Sequence, residues 1–112
     1  MKRPTIVVTI ACGLVLSLAS LASAQDAKKG EQIYGARKCA QCHSIAGKGK
    51  AEGKLDGIGA KLSAAEIREW LVNPKEMATK AKSTRKPMMP SYKSLAPADL
   101  DSLVAYIQTL KK

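Results

Sequence analysis

Two cysteines and a histidine lie close together in the segment Cys39-Ala40-Gln41-Cys42-His43. The pattern C-x-x-C-H is the attachment signature of a c-type haem, in which both thiols form thioethers with the vinyl groups of the porphyrin. Two intervening residues allow one tight turn to present both sulfurs, and the adjacent His43 then reaches the iron as an axial ligand. The spacing therefore predicts covalent haem attachment through Cys39 and Cys42, with His43 as the proximal iron ligand.

Other uses of these residues fit the sequence less well. A thioredoxin-like redox pair requires a βαβ context, which the surrounding sequence lacks. A structural zinc site requires four Cys or His ligands, and the chain contains only 3 Cys and 1 His. One of the three, Cys12, lies in the amino-terminal leader described below.

The other axial position of the iron needs a ligand that is not histidine, because His43 is the only one in the chain. The soft candidates are Met77, Met88 and Met89, while a lysine would first have to lose a proton. Met77 falls in a predicted helix, where a methionine is more often part of the core. Met89 precedes Pro90, which favours an extended backbone that can direct a long side chain inward. The sequence therefore favours Met89, with Met88 as the alternative.

Residues 1–24 have the organisation of a cleaved secretory signal peptide. Basic residues at positions 2 and 3 precede a mainly apolar stretch over 6–21, and Ala22-Ser23-Ala24 gives an A-x-A cleavage site. The apolar stretch is short for a membrane span and has no charged flank after it, which argues against a retained membrane anchor. A retained or lipidated amino terminus is the alternative. We expect one small domain over 25–112, exported to the periplasm, with no stable membrane insertion after cleavage.

Residues 25–112 show helical periodicity and no strand pattern. The predicted elements are a helix from Asp26 leading into Cys39, a glycine-rich loop over 44–62, a helix starting at the capping box Ser63–Glu66, a short helix from Pro74 after Asn73, an extended segment over 82–93 and a last helix over 97–110.

The chain is basic, with 19 Lys and Arg against 9 Asp and Glu and a formal net charge of +10. A basic surface suits nucleic acid, an anionic membrane or an acidic protein, and export and the lack of a nucleic-acid-binding motif argue against the first. We expect acidic proteins as the partners. Phe is absent, which suits a small core whose largest member is a cofactor. Basic residues flank the attachment motif and the methionines, and we expect them to form a positive rim: Arg37, Lys38, Lys48, Lys50, Lys82, Arg85, Lys86 and Lys93.

Taken together, these residues resemble a small class I (mitochondrial-type) bacterial mono-haem cytochrome c over residues 26–112. The resemblance rests on Gly30 and Tyr34, C-A-Q-C-H at 39–43, G-x-L-D-G-I-G at 53–59, Met89-Pro90 and Val104-Ala105-Tyr106. It implies an all-α cytochrome c fold, with three to five short helices wrapped around one covalently bound haem c.

The resemblance also implies details of packing and ligation. The first and last helices are expected to cross closely, with Gly30, Tyr34, Leu103 and Tyr106 at the contact. Lys54 is expected to replace a proline whose carbonyl accepts the hydrogen bond from the ligating histidine. The carbonyl remains there, but the rigidity of the proline is lost.

The predicted function is that of a soluble, monomeric periplasmic electron carrier that passes one electron through the haem to and from acidic partner proteins. We do not expect an enzyme, because His43 and Met89 fill both axial positions and leave no site for a substrate. Two alternatives remain: a haem enzyme or gas-binding protein with a displaceable Met ligand, and the cytochrome subunit of a respiratory complex.

Overall fold

A computed structural model describes residues 26–112, and its elements are mostly helical. The predicted signal peptide and Gln25 lie outside the described residues. The elements follow in the order α1 (26–36), a 3₁₀ turn (Cys39–Gln41), β1 (Ser44–Ile45), β2 (Lys48–Gly49), a second 3₁₀ turn (Ala51–Gly53), α2 (Ile58–Lys61), α3 (Ala64–Val72), α4 (Pro74–Lys80) and α5 (Pro97–Gln108). This architecture confirms the predicted all-α class. Within residues 26–112, none of the helices has the length and apolar character needed to cross a bilayer.

Helices α1 and α5 cross at a glycine. A Cβ added at Gly30 would lie 2.6 Å from the Cβ of Tyr106 and still closer to the carbonyl oxygen of Ser102, so only glycine permits this approach. One turn further on, the rings of Tyr34 and Tyr106 pack edge to face with centroids 5.7 Å apart. Leu103 beside them is completely buried. The predicted close crossing of the first and last helices is confirmed.

The core is formed mainly by the facing sides of α3 and α5. Its buried apolar side chains are Tyr34, Ile67, Leu71, Leu95, Leu100, Leu103, Val104 and Ile107. On α5 the buried positions 100, 103, 104 and 107 follow the three- and four-residue spacing of one helical face.

Helix α3 begins where the sequence predicts. The Ser63 side chain accepts a hydrogen bond from the Glu66 backbone N–H at 3.2 Å, and the Glu66 carboxylate accepts one from the Ser63 N–H at 3.1 Å. This confirms the capping box. Helix α4 then starts at Pro74, as predicted, although the Asn73 side chain donates to Glu69 instead of capping it.

The prediction of an irregular loop over 44–62 is wrong in part. Strands β1 and β2 pair as an antiparallel hairpin whose two turn residues, Ala46 and Gly47, have φ of 52° and 80°. Positive φ at both positions is what a type I′ hairpin turn requires. Alanine rarely adopts such a conformation, so the sequence carries no clear signal for this turn.

The last helix is shorter than predicted, ending at Gln108 and not at Leu110. The carbonyl of Leu110 accepts a hydrogen bond from the backbone N–H of Gly59 in α2 at 2.8 Å. Because this carbonyl bonds to another helix, the chain end serves to attach α2 to α5.

Candidate functional site

The two cysteines and the histidine of the motif lie on one tight turn. Lys38 has a left-handed backbone, with φ of 57°, and breaks the helical path of α1 just before Cys39. The backbone N–H groups of Cys42 and His43 both donate to the carbonyl of Cys39, at 3.1 and 2.9 Å. Both thiols are free and half-buried, and burial raises the pKa of the Cys39 thiol above its ordinary value. The turn therefore presents two sulfurs and one imidazole from five consecutive residues.

The His43 ring is held in an orientation suited to a metal ligand. Its Nδ1 lies 2.9 Å from the carbonyl oxygen of Gly53, so Nδ1 donates and Nε2 keeps its free electron pair. Burial lowers the pKa of His43 below its ordinary value, and the nearby Arg85 charge acts in the same direction, while the hydrogen bond to Gly53 opposes them. A neutral imidazole whose second nitrogen is hydrogen-bonded is the form that binds a metal.

The prediction that the Lys54 carbonyl accepts the hydrogen bond from His43 is wrong by one residue. The chain at Lys54 runs beside Ser44 in a parallel bridge, and the N–H of Leu55 donates to the carbonyl of Ser44 at 2.9 Å. The hydrogen bond of the His43 Nδ1 goes to the carbonyl of Gly53, the residue before Lys54 and the last of the second 3₁₀ turn. Gly53 therefore supplies the acceptor, and the Lys54 carbonyl does not.

Two cavities of about 180 and 380 Å³ adjoin the attachment turn. Six residues line both of them: Cys39, His43, Trp70, Ser83, Arg85 and Met89. The larger cavity extends into the core and is walled by apolar side chains of α2, α3 and α5, including Ile58, Ile67, Leu71, Leu103 and Ile107. An apolar space of this kind, in the centre of a domain this small, fits a flat apolar porphyrin.

The donor set also fits a haem better than a separately bound metal ion. Within residues 26–112 no group of three or more His, Cys, Asp or Glu side chains converges as a metal site. What the cavities offer instead is one neutral imidazole, thioether sulfur and two thiols on one turn, which is the ligand chemistry of a c-type haem.

The three candidate methionines occupy different environments. Met89 is partly buried, packs against the core and lines both cavities together with His43. Met88 is 48% exposed and lines only the smaller cavity. Met77 is partly buried on α4 and lines neither. The structure thus brings Met89 together with the motif residues.

Four members of the predicted positive rim also meet at this site. Lys38, Lys50, Arg85 and Lys86 are exposed and line the smaller cavity beside Cys42 and Met89. Arg85 reaches further, because its guanidinium Nη2 donates to the carbonyl of Cys42 at 2.8 Å. Sequence reasoning placed Arg85 only among the rim charges. A contact between residues 43 positions apart has no local signature.

Comparison with known proteins supports the same chemistry. The model of the family "Cytochrome c" matches residues 27–111. Among curated proteins, cytochrome c oxidase subunit 2 of Alkalihalophilus pseudofirmus (strain ATCC BAA-2126 / JCM 17055 / OF4) is 24% identical over 94 residues. The alignment covers 76% of this chain and 26% of that relative, so the chain spans about a quarter of the relative's length. No solved structure matches the chain significantly.

The family match covers nearly all the described residues, and the fold and cavity agree with it. Proteins of this family carry covalently bound haem c and transfer electrons with redox partner proteins, and Cys39, Cys42 and His43 form the attachment motif. The chain belongs to the cytochrome c family, and its cofactor is haem c.

Proposed function

We propose that this protein is a soluble periplasmic carrier of single electrons. Cys39 and Cys42 would hold the haem as thioethers, and His43 and Met89 would bind its iron. The observation that carries the proposal is that His43 and Met89 line the same two cavities at the attachment turn. When bound, the haem supplies an iron that accepts one electron from a donor and passes it to an acceptor without transfer of atoms.

The residues around the cavity explain how the chain would favour such a function over catalysis. With His43 and Met89 both bound to the iron, no position would remain at which a substrate or dioxygen could bind. The Met89 thioether stabilises the reduced state relative to a second imidazole and raises the potential. Apolar side chains such as Ile67 and Leu103 keep water away, so that little surrounding structure needs to rearrange when the charge changes.

The surface beside Cys42 and Met89 suits an acidic redox partner. The exposed cations Lys38, Lys50, Arg85 and Lys86 surround the smaller cavity. Complementary charge steers encounter and orients the partner more than it increases final affinity. This arrangement supports transient docking of an acidic partner.

The leader supports export. Its basic start, apolar stretch and A-x-A site are those of a secretory signal peptide, and cleavage after Ala24 would leave Gln25 as the first residue. Intact mass spectrometry of the exported protein tests both points: we expect a chain starting at Gln25 that carries one covalent haem. A protein starting at Met1, or one that loses haem on denaturation, would contradict them.

The oxidase relative favours a second candidate, a cytochrome subunit held stably in a respiratory complex. Its printed name is cytochrome c oxidase subunit 2, and this chain resembles about a quarter of it. The same haem site would serve in both cases, but a stable subunit would copurify with membrane proteins. A monomer on sizing of the native exported protein supports the free carrier.

The ligation is tested by a matched pair of neighbouring substitutions. Met89→Ala should abolish the iron–sulfur charge-transfer band of the oxidised protein and lower its potential, because Met89, unlike Met77 and Met88, lines both cavities. Met88→Ala removes an equal side chain that is 48% exposed and should leave the band and potential nearly unchanged. Loss of the band in Met88→Ala, with retention in Met89→Ala, would reverse the assignment.

A further inference from the structure

The segment that carries Met89 is bound to the rest of the fold mainly on one side. It contains no helix or strand between residues 82 and 93. Its backbone is tied to α4 by the Ser83 N–H donating to Ala78 and to α3 by the Tyr92 N–H donating to Leu71, at 2.9 and 2.8 Å. The Ser91 hydroxyl adds a bond to the carbonyl of Val72 at 2.6 Å. These contacts hold the ends of the segment against α3 and α4, away from the attachment turn.

One side chain from this segment crosses to the attachment turn. The guanidinium of Arg85 donates through Nη2 to the carbonyl of Cys42 at 2.8 Å. A Cβ added at Gly53 would lie 2.8 Å from the Nη1 of Arg85, so the guanidinium packs closely against this glycine. Arg85 therefore packs against both pieces of backbone that hold His43: the peptide preceding it and the residue whose carbonyl accepts from its Nδ1.

The contact between these two segments favours arginine at position 85 and glycine at position 53. Arginine offers several N–H donors in a planar fork and stays charged at all accessible pH values, whereas lysine offers a single compact ammonium. A side chain at residue 53 would collide with the backbone carbonyl of Cys42, which cannot move alone, and would push the guanidinium of Arg85 away. The buried Gly53 thus leaves room for the guanidinium beside the His43 turn.

We propose that Arg85 is a positioning residue that ties the Met89 segment to the His43 turn and places a permanent positive charge beside the haem. The inference rests on the proposed His43–Met89 ligation. It gives Arg85 two separable roles. The hydrogen bond to Cys42 restrains Met89, and the charge favours the reduced state, which carries one positive charge fewer on the iron.

Two substitutions separate these roles in the holoprotein. Arg85→Lys keeps the charge but loses the fork, so we expect the potential to stay close to that of the wild type while Met89 is held less firmly. Imidazole competes with Met89 for the iron, and its affinity should rise by about fivefold or more as the restraint is lost. Arg85→Gln loses both the fork and the charge, so the same rise should be accompanied by a fall in potential.

The expected fall in Arg85→Gln is about threefold or more in the reduction equilibrium, which corresponds to about 30 mV for one electron. Lys28→Gln is the matched control, since it removes one exposed charge from α1 that lines neither cavity. It should change neither quantity.

The outcomes are distinguishable from failure of the proposed function. If the wild type shows no iron–sulfur band, the Met89 ligation itself is wrong. If the band is present but both Arg85 variants bind imidazole as weakly as the wild type, the hydrogen bond from Arg85 to Cys42 does not restrain Met89 and the proposal is refuted. If Arg85→Gln and Lys28→Gln shift the potential equally, the charge of Arg85 has no special position.

Discussion

Gly30→Ala should destabilise the protein strongly, although alanine is the better helix former. The added Cβ would lie 2.6 Å from Tyr106 Cβ and 2.7 Å from the carbonyl carbon of Ser102. Ordinary carbon contacts are about 3.5–4.0 Å, so α1 and α5 would have to separate by about 1 Å. Both neighbouring groups belong to a helix and not to the flexible end of a side chain, so neither can move away alone.

The magnitude follows from three terms. Overpacking at a tight contact costs about 1–3 kcal/mol. Separation of the helices also weakens the edge-to-face contact of Tyr34 and Tyr106, which is worth about 0.5–1.5 kcal/mol. The helix propensity of alanine returns about 1 kcal/mol. These terms sum to a loss of about 0.5–3.5 kcal/mol. The centre of that range, about 2 kcal/mol, corresponds to a fall in Tm of about 8–16 °C for a domain of this size.

The same helix supplies the control. A Cβ at Gly35 would have no atom within 4 Å, so Gly35→Ala should only gain helix propensity and stabilise by about 0.5–1 kcal/mol. Denaturant unfolding of the two holoproteins measures the difference. If Gly30→Ala is as stable as Gly35→Ala, the helices do not cross as closely as described and the reasoning is refuted.

Three further predictions concern capping, burial and charge. Ser63→Ala should cost about 1 kcal/mol of unfolding free energy, because it removes the side-chain bond to the Glu66 N–H, and an unchanged denaturation midpoint would contradict this. Burial raises the pKa of Tyr34 to about 12, so the folded state keeps a proton that the unfolded chain loses near pH 10, and stability falls as pH rises through this window. Tyr34→Phe, which removes a hydroxyl without a hydrogen-bond partner among the described residues, should lose that part of the pH dependence, and equal slopes in both proteins between pH 10 and 12 would contradict this. Reduction by an acidic redox protein should slow with rising ionic strength, because charges farther apart than about 8–10 Å are screened. Lys86→Glu should slow this reduction more than Lys112→Glu does. Equal losses of rate in the two variants would show that the rim is not organised for docking.

The parts of the fold with strong local signals follow directly from the sequence. The spacing of Cys39, Cys42 and His43 places them on one turn, because a span of five residues leaves few other arrangements. The capping box at Ser63 and the proline at the start of α5 determine where helices begin. A glycine inside a helix lowers helix stability, so Gly30 indicates a close contact at that point. The resemblance then identifies the last helix as the one that crosses there.

The parts that the sequence does not reveal depend on contacts between distant residues. The hairpin turn places Ala46 in a conformation that alanine rarely adopts, and pairing of the flanking strands compensates for it. The choice of Gly53 over Lys54 as the partner of His43 depends on how the chain folds back beside the motif ten residues later, which has no local signature. The contact of Arg85 with Cys42 joins two segments that come together only in the folded chain.

A potentiometric titration of the purified holoprotein, followed by its optical spectrum, tests the central claim most directly. We expect one reversible one-electron transition and an iron–sulfur charge-transfer band in the oxidised state that disappears on reduction, because in the proposed ligation His43 and Met89 both bind the iron. A spectrum without this band, with an open iron position that binds an added gas ligand in the reduced state, would contradict the account and indicate a haem protein that acts on a ligand.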